Sequence, residues 1–299
     1  MGRVAAVVLL AVALLLGWQS AASLPTPRSE VAAASFRGGV AVVGGFRAGG
    51  SSSREVDLYS PAFDRWRRLA DLPVAVNHAM AAAATGKLYV VGGYGGPLVG
   101  ARRTAFVLEG RIWKRLPPMP AVRAAGGAAI VRGRLYVVGG VGPAGLARRA
   151  FVLDLASGRW STVPGPAPRE HLAVTAAGGA VYALAGRKAG LDTNLATFQV
   201  YSPRTRRWRR LPSVPGARGG TGAAAVGGLI VSAGGEQPGG TISSVYGYDT
   251  ARGSWRRLPD LPTPRHGLGL ASSGGKVYAV GGGTTPGLSV SGANEVLTP

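Results

Sequence analysis

One period runs through this chain from end to end. Short apolar runs finish in a pair of small residues at Gly44-Gly45, Gly92-Gly93, Gly139-Gly140, Ala185-Gly186, Gly234-Gly235 and Gly281-Gly282, whose first members are 48, 47, 46, 49 and 47 residues apart. Trp66, Trp113, Trp160, Trp208 and Trp255 follow the same beat, at intervals of 47, 47, 48 and 47. Two unrelated residue types sharing one period make the chain a string of similar units. A unit of this length cannot bury both its faces alone, so neighbouring units must stack.

Each unit reads as four strands. A Pro- and Arg-containing lead-in precedes a small apolar run such as His78-Ala79-Met80-Ala81, and a short Gly turn follows. Next comes a β-rich run into the glycine pair, as in Leu88-Tyr89-Val90-Val91 and Val277-Tyr278-Ala279-Val280. A variable loop leads to a third run, such as Val56-Asp57-Leu58-Tyr59-Ser60-Pro61, and the fourth starts at tryptophan: Trp66-Arg67-Arg68-Leu69, Trp208-Arg209-Arg210-Leu211. Four short strands with turn punctuation make one twisted antiparallel blade. The fold class predicted is all-β: a six-bladed β-propeller of four-stranded antiparallel blades. Glycine pairs allow positive φ where blades converge, small residues suit the crowded inner strand, and tryptophan fills the wide outer gap.

The last unit is incomplete. It runs through Asn294-Glu295-Val296-Leu297-Thr298-Pro299 and ends before its tryptophan, while the segment from Trp18 to Arg28 aligns without gaps to that from Trp255 to Arg265. Trp18 precedes Trp66 by 48 residues, which continues the period. Residues near Trp18 to Ala22 are therefore expected to supply the outer strand of the last blade, beside Glu295 to Leu297, and to close the ring. The propeller then spans 18–299. Residues 1–17 read as a signal peptide or short membrane anchor: Arg3 as basic start, an apolar run from Val4 to Leu16, and Ser20-Ala21-Ala22 at cleavage-site spacing. The run is short for a span, which needs about 20 residues, so residues 4–17 are a candidate tether and the expected location is exported, either secreted or attached to the cell envelope. Cleavage after Ala22 would remove Trp18.

The units resemble kelch repeats across residues 18–299. The resemblance rests on Pro27-Arg28, Pro168-Arg169 and Pro264-Arg265, on the tyrosine-containing run into Gly-Gly, on Tyr59-Ser60-Pro61, Tyr201-Ser202-Pro203 and Tyr248-Asp249, and on the downstream tryptophan. The second repeat departs from it, with Val76-Asn77 where the others carry arginine, and the fourth has Ala185-Gly186 for Gly-Gly. The resemblance implies a non-catalytic binding scaffold that uses the face bearing the first-strand lead-ins and the loops between strands two and three. There it puts Arg28, Arg123, Arg169, Arg218 and Arg265 near the channel mouth. Arg47, Arg54, Arg102, Arg103, Arg148, Arg149, Arg187 and Lys188 would line the outer loops, with Glu30, Glu55, Glu170, Asp192 and Glu236 the acidic neighbours. Either the five arginines form a basic mouth for an acidic protein or envelope glycan, or they bond backbone carbonyls.

Charge leaves the same choice open. The formal net charge of +21 attracts polyanions, yet only Lys87, Lys114, Lys188 and Lys276 are lysine, a bias that also fits arginine used everywhere by composition. Expected export, and the lack of aromatic residues interleaved with the basic loops, argue against nucleic acid as partner. The chain has no cysteine, which excludes disulfides, cysteine zinc sites, thiol nucleophiles and the Tyr–Cys crosslink of galactose oxidase chemistry; no cofactor is expected. The alternative function is a carbohydrate-active enzyme like the sialic-acid mutarotases, with Glu170 beside Arg169 and His171 moving protons in the mouth. The chain's three histidines, His78, His171 and His266, fall in repeats two, four and six near the start of the inner strand. Three imidazoles converging on the axis would hold a metal such as zinc. Register bears on this: His78 and His171 agree when counted to the glycine pair, His171 and His266 when counted from the tryptophan, and a one-residue slip reverses a strand side chain.

Overall fold

The computed structural model describes residues 17–299. The expected signal or tether segment lies outside them, save Gly17. Among the described residues no helix is long and apolar enough to cross a membrane.

Within each unit the chain turns back on itself in register. In blade 1, Ala32–Phe36, Gly39–Val43, Val56–Ser60 and Arg65–Arg68 pair in sequence order as one antiparallel sheet. Strands one and two are joined by two-residue turns such as Arg37-Gly38 and Thr85-Gly86, both residues at positive φ (50° and 75°; 48° and 72°). That is the turn whose twist matches a hairpin. Six such four-stranded sheets form the ring. The second strands are the most buried, as in the fully buried Gly39–Val43, and the outer strands are exposed, as in Arg65–Arg68. Longer loops between strands two and three carry small ribbons in two blades, Val141–Gly142 with Gly145–Leu146 and Glu236–Gln237 with Gly240–Thr241.

The core lies between blades. Ala41, Val43, Val56 and Leu58 of blade 1 pack with Ala79, Ala81, Leu88, Val90 and Leu108 of blade 2 in one cluster, and similar clusters recur around the ring. Each buried valine or leucine contributes roughly 1.5–3 kcal/mol, so stability resides in the stacking. The inner strands, from Ala32–Phe36 to Gly269–Ser273, are rich in Ala, Gly and Ser and surround an axial cavity of about 290 Å³.

The last blade is a composite. Asn294–Leu297 is its third strand and Trp18–Ser20 its fourth, with Trp18 opposite Leu297, Gln19 opposite Val296 and Ser20 opposite Glu295. The gapless alignment of the N-terminal segment had placed it there.

Two belts of hydrogen bonds tie the blades together. The outer belt is made by tryptophan indoles, each donating Nε1–H to a carbonyl of the preceding blade: Trp18 to Pro259, Trp66 to Ala22, Trp113 to Ala70, Trp160 to Pro117, Trp208 to Pro164 and Trp255 to Pro212, at 2.7–2.9 Å. The inner belt is pure backbone. The amides of His78, Ala125, His171, Gly220 and Gly267 donate in turn to the carbonyls of Glu30, His78, Ala125, His171 and Gly220, and Val31 N closes the circle onto Gly267 O. Glycine pairs permit the approach: a Cβ on Gly44 would lie 2.6 Å from Val76 O, and one on Gly45 2.5 Å from Ser29 O.

Candidate functional site

The inner belt fixes six side-chain positions around the channel mouth. Glu30, His78, Ala125, His171, Gly220 and Gly267 occupy the same place in their blades, all at positive φ, from 49° to 65°. Left-handed backbone costs a residue with a Cβ about 1 kcal/mol, and two of the six positions are glycine. Glu30, His78 and His171 therefore project their functional groups from strained backbone into the mouth. Strain of this kind gathers at functional sites.

These groups meet. His78 Nε2 lies 2.9 Å from His171 Nε2 and 3.1 Å from Glu30 Oε2. His78 Nδ1 is 2.6 Å from Asn77 Oδ1. The Asn77 amide nitrogen donates to Gly96 O at 3.0 Å and to Ser52 Oγ at 2.8 Å, so its other atom is the acceptor and His78 carries a proton on Nδ1. His171 Nδ1 has no hydrogen-bond partner, though Glu170 Oε1 is 3.3 Å away. Glu30 Oε1 faces His266 Nδ1 at 3.1 Å, while His266 Nε2 reaches Thr285 O at 3.1 Å. Arg187 closes the group: its Nη1 bonds Glu236 Oε1 at 2.7 Å and its Nε lies 3.4 Å from Glu170 Oε1. A small cavity of about 80 Å³ opens between Glu30, His78 and His171 on one side and Gly220 and Gly267 on the other. Gly267 makes room for the carboxylate, since a Cβ there would meet Glu30 Oε1 at 2.4 Å.

Burial and pairing set the protonation. Burial drives the His78 pKa down to about 4, against the pull of Glu30. Burial also works against ionised Glu30, but the charge of His78 and the His266 hydrogen bond outweigh it and hold the carboxyl below its ordinary range. His266 is lowered by burial and raised by Glu30 and Glu236, with a net rise. Glu30, His78 and His171 bring one ligand atom each within 4.8 Å of one another, as do Glu30, Glu236 and His266.

The arrangement departs from the sequence reading in three ways. First, Arg28, Arg123, Arg169, Arg218 and Arg265 do not open onto the mouth; they are 0–4% exposed. Each points into its own blade and donates to carbonyls; three bridge the end of strand two and the start of strand three, Arg28 Nη1 to Gly44 O and Glu55 O, Arg123 Nη1 to Gly139 O and Arg149 O, Arg218 Nη1 to Gly234 O and Ser244 O. Of the two readings, the carbonyl one describes their geometry. Arg28 and Arg265 also pair with carboxylates, Asp57 and Glu295. Arg123, Arg169 and Arg218 are held by neutral oxygens, and burial lowers all three to about 10. Second, Glu170 and His171 approach each other but Arg169 turns away, to Ala167 O, Ala183 O and Gln199 Oε1; Arg187 stands beside Glu170 instead. Third, the three histidines do not converge. His78 and His171 meet, whereas His266 sits one residue earlier in its lead-in and turns toward Glu30 and Thr285. The register counted to the glycine pair is the structural one. It also reveals Glu30, which stands 14 residues before its glycine pair, as His78 and His171 do.

Six antiparallel blades stacked face to face around a narrow channel, the last made from both chain ends, define a six-bladed β-propeller. The Kelch motif matches residues 27–73, 123–167, 168–215 and 217–262, well over half of the chain, and the protein belongs to that family. The blade with Val76 in place of the lead-in arginine falls between the first two matches, and the blade split between the termini falls outside the matched range. No curated protein matches the chain.

Proposed function

We propose that the protein is a non-catalytic binding scaffold acting outside the cytoplasm, which engages an acidic protein or an envelope glycan through the face that carries the loops between strands two and three. A kelch propeller as such suggests a protein-binding scaffold. One observation carries the finer reading: the two faces of the ring are unequal. The turns joining strands one and two are two residues long, three of them Gly-Gly and the others Arg37-Gly38, Thr85-Gly86 and Arg132-Gly133, whereas the loops between strands two and three are much longer. The opposite loops hold exposed Leu98, Val99 and Leu288 beside exposed Arg103, Arg148 and Lys188. Among the described residues, no carboxylate lies within ion-pair distance of these three cations. Apolar anchors flanked by unpaired charge favour an anionic partner surface.

The test is binding of the full chain to a glycan array and to envelope extract across a salt series. Charge reversal at Arg103, Arg148 and Lys188 together is expected to abolish binding while the fold, read by circular dichroism, is kept. Binding that ignores salt would sink the electrostatic reading. The second reading, a carbohydrate-active enzyme of mutarotase type, is favoured by the gathering of Glu30, Glu170 and Glu236 with the His78–His171 pair and Arg187 at the mouth. Its test is the rate of anomer exchange of sialic acid by NMR, with a loss in Glu170→Gln expected.

A further inference from the structure

The contact between Glu30, His78 and His171 is unbalanced as it stands. His78 donates through Nδ1 to Asn77, so the Nε2 of its neutral ring is an acceptor. That lone pair faces a carboxylate oxygen, Glu30 Oε2, at 3.1 Å, and two acceptors at hydrogen-bond distance repel. His171 cannot cure this. With its proton on Nε2, it bonds His78 but leaves Nδ1 bare opposite Glu170 Oε1 at 3.3 Å; with its proton on Nδ1, two bare Nε2 atoms face each other at 2.9 Å. A second proton on His78 or a cation among the three groups removes the conflict. The His78 ring is 3% exposed and wedged edge-on between Phe46 and Tyr94, surroundings that disfavour a charged imidazolium.

We propose that Glu30 Oε2, His78 Nε2 and His171 Nε2 form a mononuclear site for a divalent cation of the zinc and iron(II) class on the propeller axis. Two imidazoles and one carboxylate are a donor set that borderline cations take, leaving further positions open. Donors roughly 2.1 Å from a common ion in adjacent octahedral positions lie about 3.0 Å apart, which matches the 2.9 and 3.1 Å separations here. The outer contacts are those of a built site. The His78 ring bonds Asn77 Oδ1 through its second nitrogen, Glu170 Oε1 stands 3.3 Å from the second nitrogen of His171, and the free oxygen of Glu30 faces His266. All three ligands stand on left-handed backbone, at φ 51°, 51° and 49°. The open positions face the 80 Å³ cavity, whose far side is bare glycine at Gly220 and Gly267. The neighbouring group of Glu30, Glu236 and His266 is the weaker host, because Arg187 already neutralises Glu236. This inference goes beyond the scaffold reading and does not depend on it.

The experiment uses the full chain produced without a histidine tag, stripped with a chelator and titrated with cobalt(II) alone, then zinc(II). The expected result is saturable uptake of a single ion, visible absorption bands from cobalt(II), and the largest paramagnetic shifts on the ligand signals of the unaltered protein, the His78 and His171 imidazoles foremost. His171→Gln is expected to weaken uptake more than about 100-fold and Asn77→Ala by about 10–100-fold, the range of an outer-contact change. Asp192→Asn, at an exposed loop carboxylate outside the cluster, should change it little. The proposal is overturned if the folded protein takes up neither ion, if the largest cobalt shifts fall on residues away from Glu30, His78 and His171, or if nitrogen shifts show His78 doubly protonated at neutral pH with no ion bound.

Discussion

Arginine does two different jobs in this molecule, one near the axis and one at the perimeter. Near the axis, Arg28, Arg123, Arg169, Arg218 and Arg265 are sealed inside their blades and saturate carbonyls that the glycine pairs leave unpaired. At the perimeter, Arg67, Arg209, Arg210 and Arg256 stand in solvent on the outer strands. There the charge blunts a strand edge that would otherwise invite pairing with another chain. Much of the net positive charge is of this second kind, so net charge alone says little about the ligand.

The sharpest way to break the comparison is to remove an axial arginine. Arg169→Met takes the guanidinium donor from Ala183 O and Ala167 O and leaves Gln199 Oε1 only the Ala167 amide, and at roughly 1–3 kcal/mol for a buried unpaired group the loss should total about 2–5 kcal/mol in urea unfolding. Arg123→Glu should prevent folding altogether, by placing an acid against two carbonyls.

The next effect tests the seam. A chain starting at Ser23 loses the outer strand of the last blade, the Trp18 bond to Pro259 and the Ala22 carbonyl that receives Trp66. It should unfold with about 2–4 kcal/mol less stability, and N-terminal sequencing of the protein from its native source tells whether the cell makes that chain. Gly267→Ala comes third. Its Cβ would strike Glu30 Oε1 on backbone of φ 57°, at a cost of about 1–3 kcal/mol, with Glu30 displaced from His78 in the crystal structure of the variant. Smallest of all, Arg67→Gln or Arg209→Gln should stay within about 0.5 kcal/mol of the parent. A cost near that of Arg169→Met would erase the distinction drawn here.

The repeat, the blade and the clasp between the termini could be read from the chain because each rests on spacing, and spacing survives without coordinates. The arginines could not be assigned in the same way. A lead-in arginine aimed at the channel and one folded back onto Gly44 O or Gly139 O occupy the same sequence position, and only the side-chain torsions separate them. The mouth cluster was half legible. His78 and His171 share a register, but Glu30 shares it too and was grouped with the acidic neighbours, because residue type rather than position drew attention. Arg187 and Asn77 come from a loop and from the blade lacking arginine, where no repeat signal points.

The clasp also has a consequence in time. The segment around Trp18 is made before any blade exists, and its partner Asn294–Leu297 is the last strand to be made. Five blades can stack as synthesis proceeds, but the sixth must wait for the whole chain, and its closing contact joins residues 18 and 297. Contacts so distant in sequence form slowly because loop closure must come first. Until then the first-made strand is an unpaired edge, and in a chain crossing a membrane N-terminus first it emerges long before its mate. A nascent chain halted before Asn294 should therefore carry stacked blades and a free amino terminus open to proteolysis, and release of the last residues should close both at once.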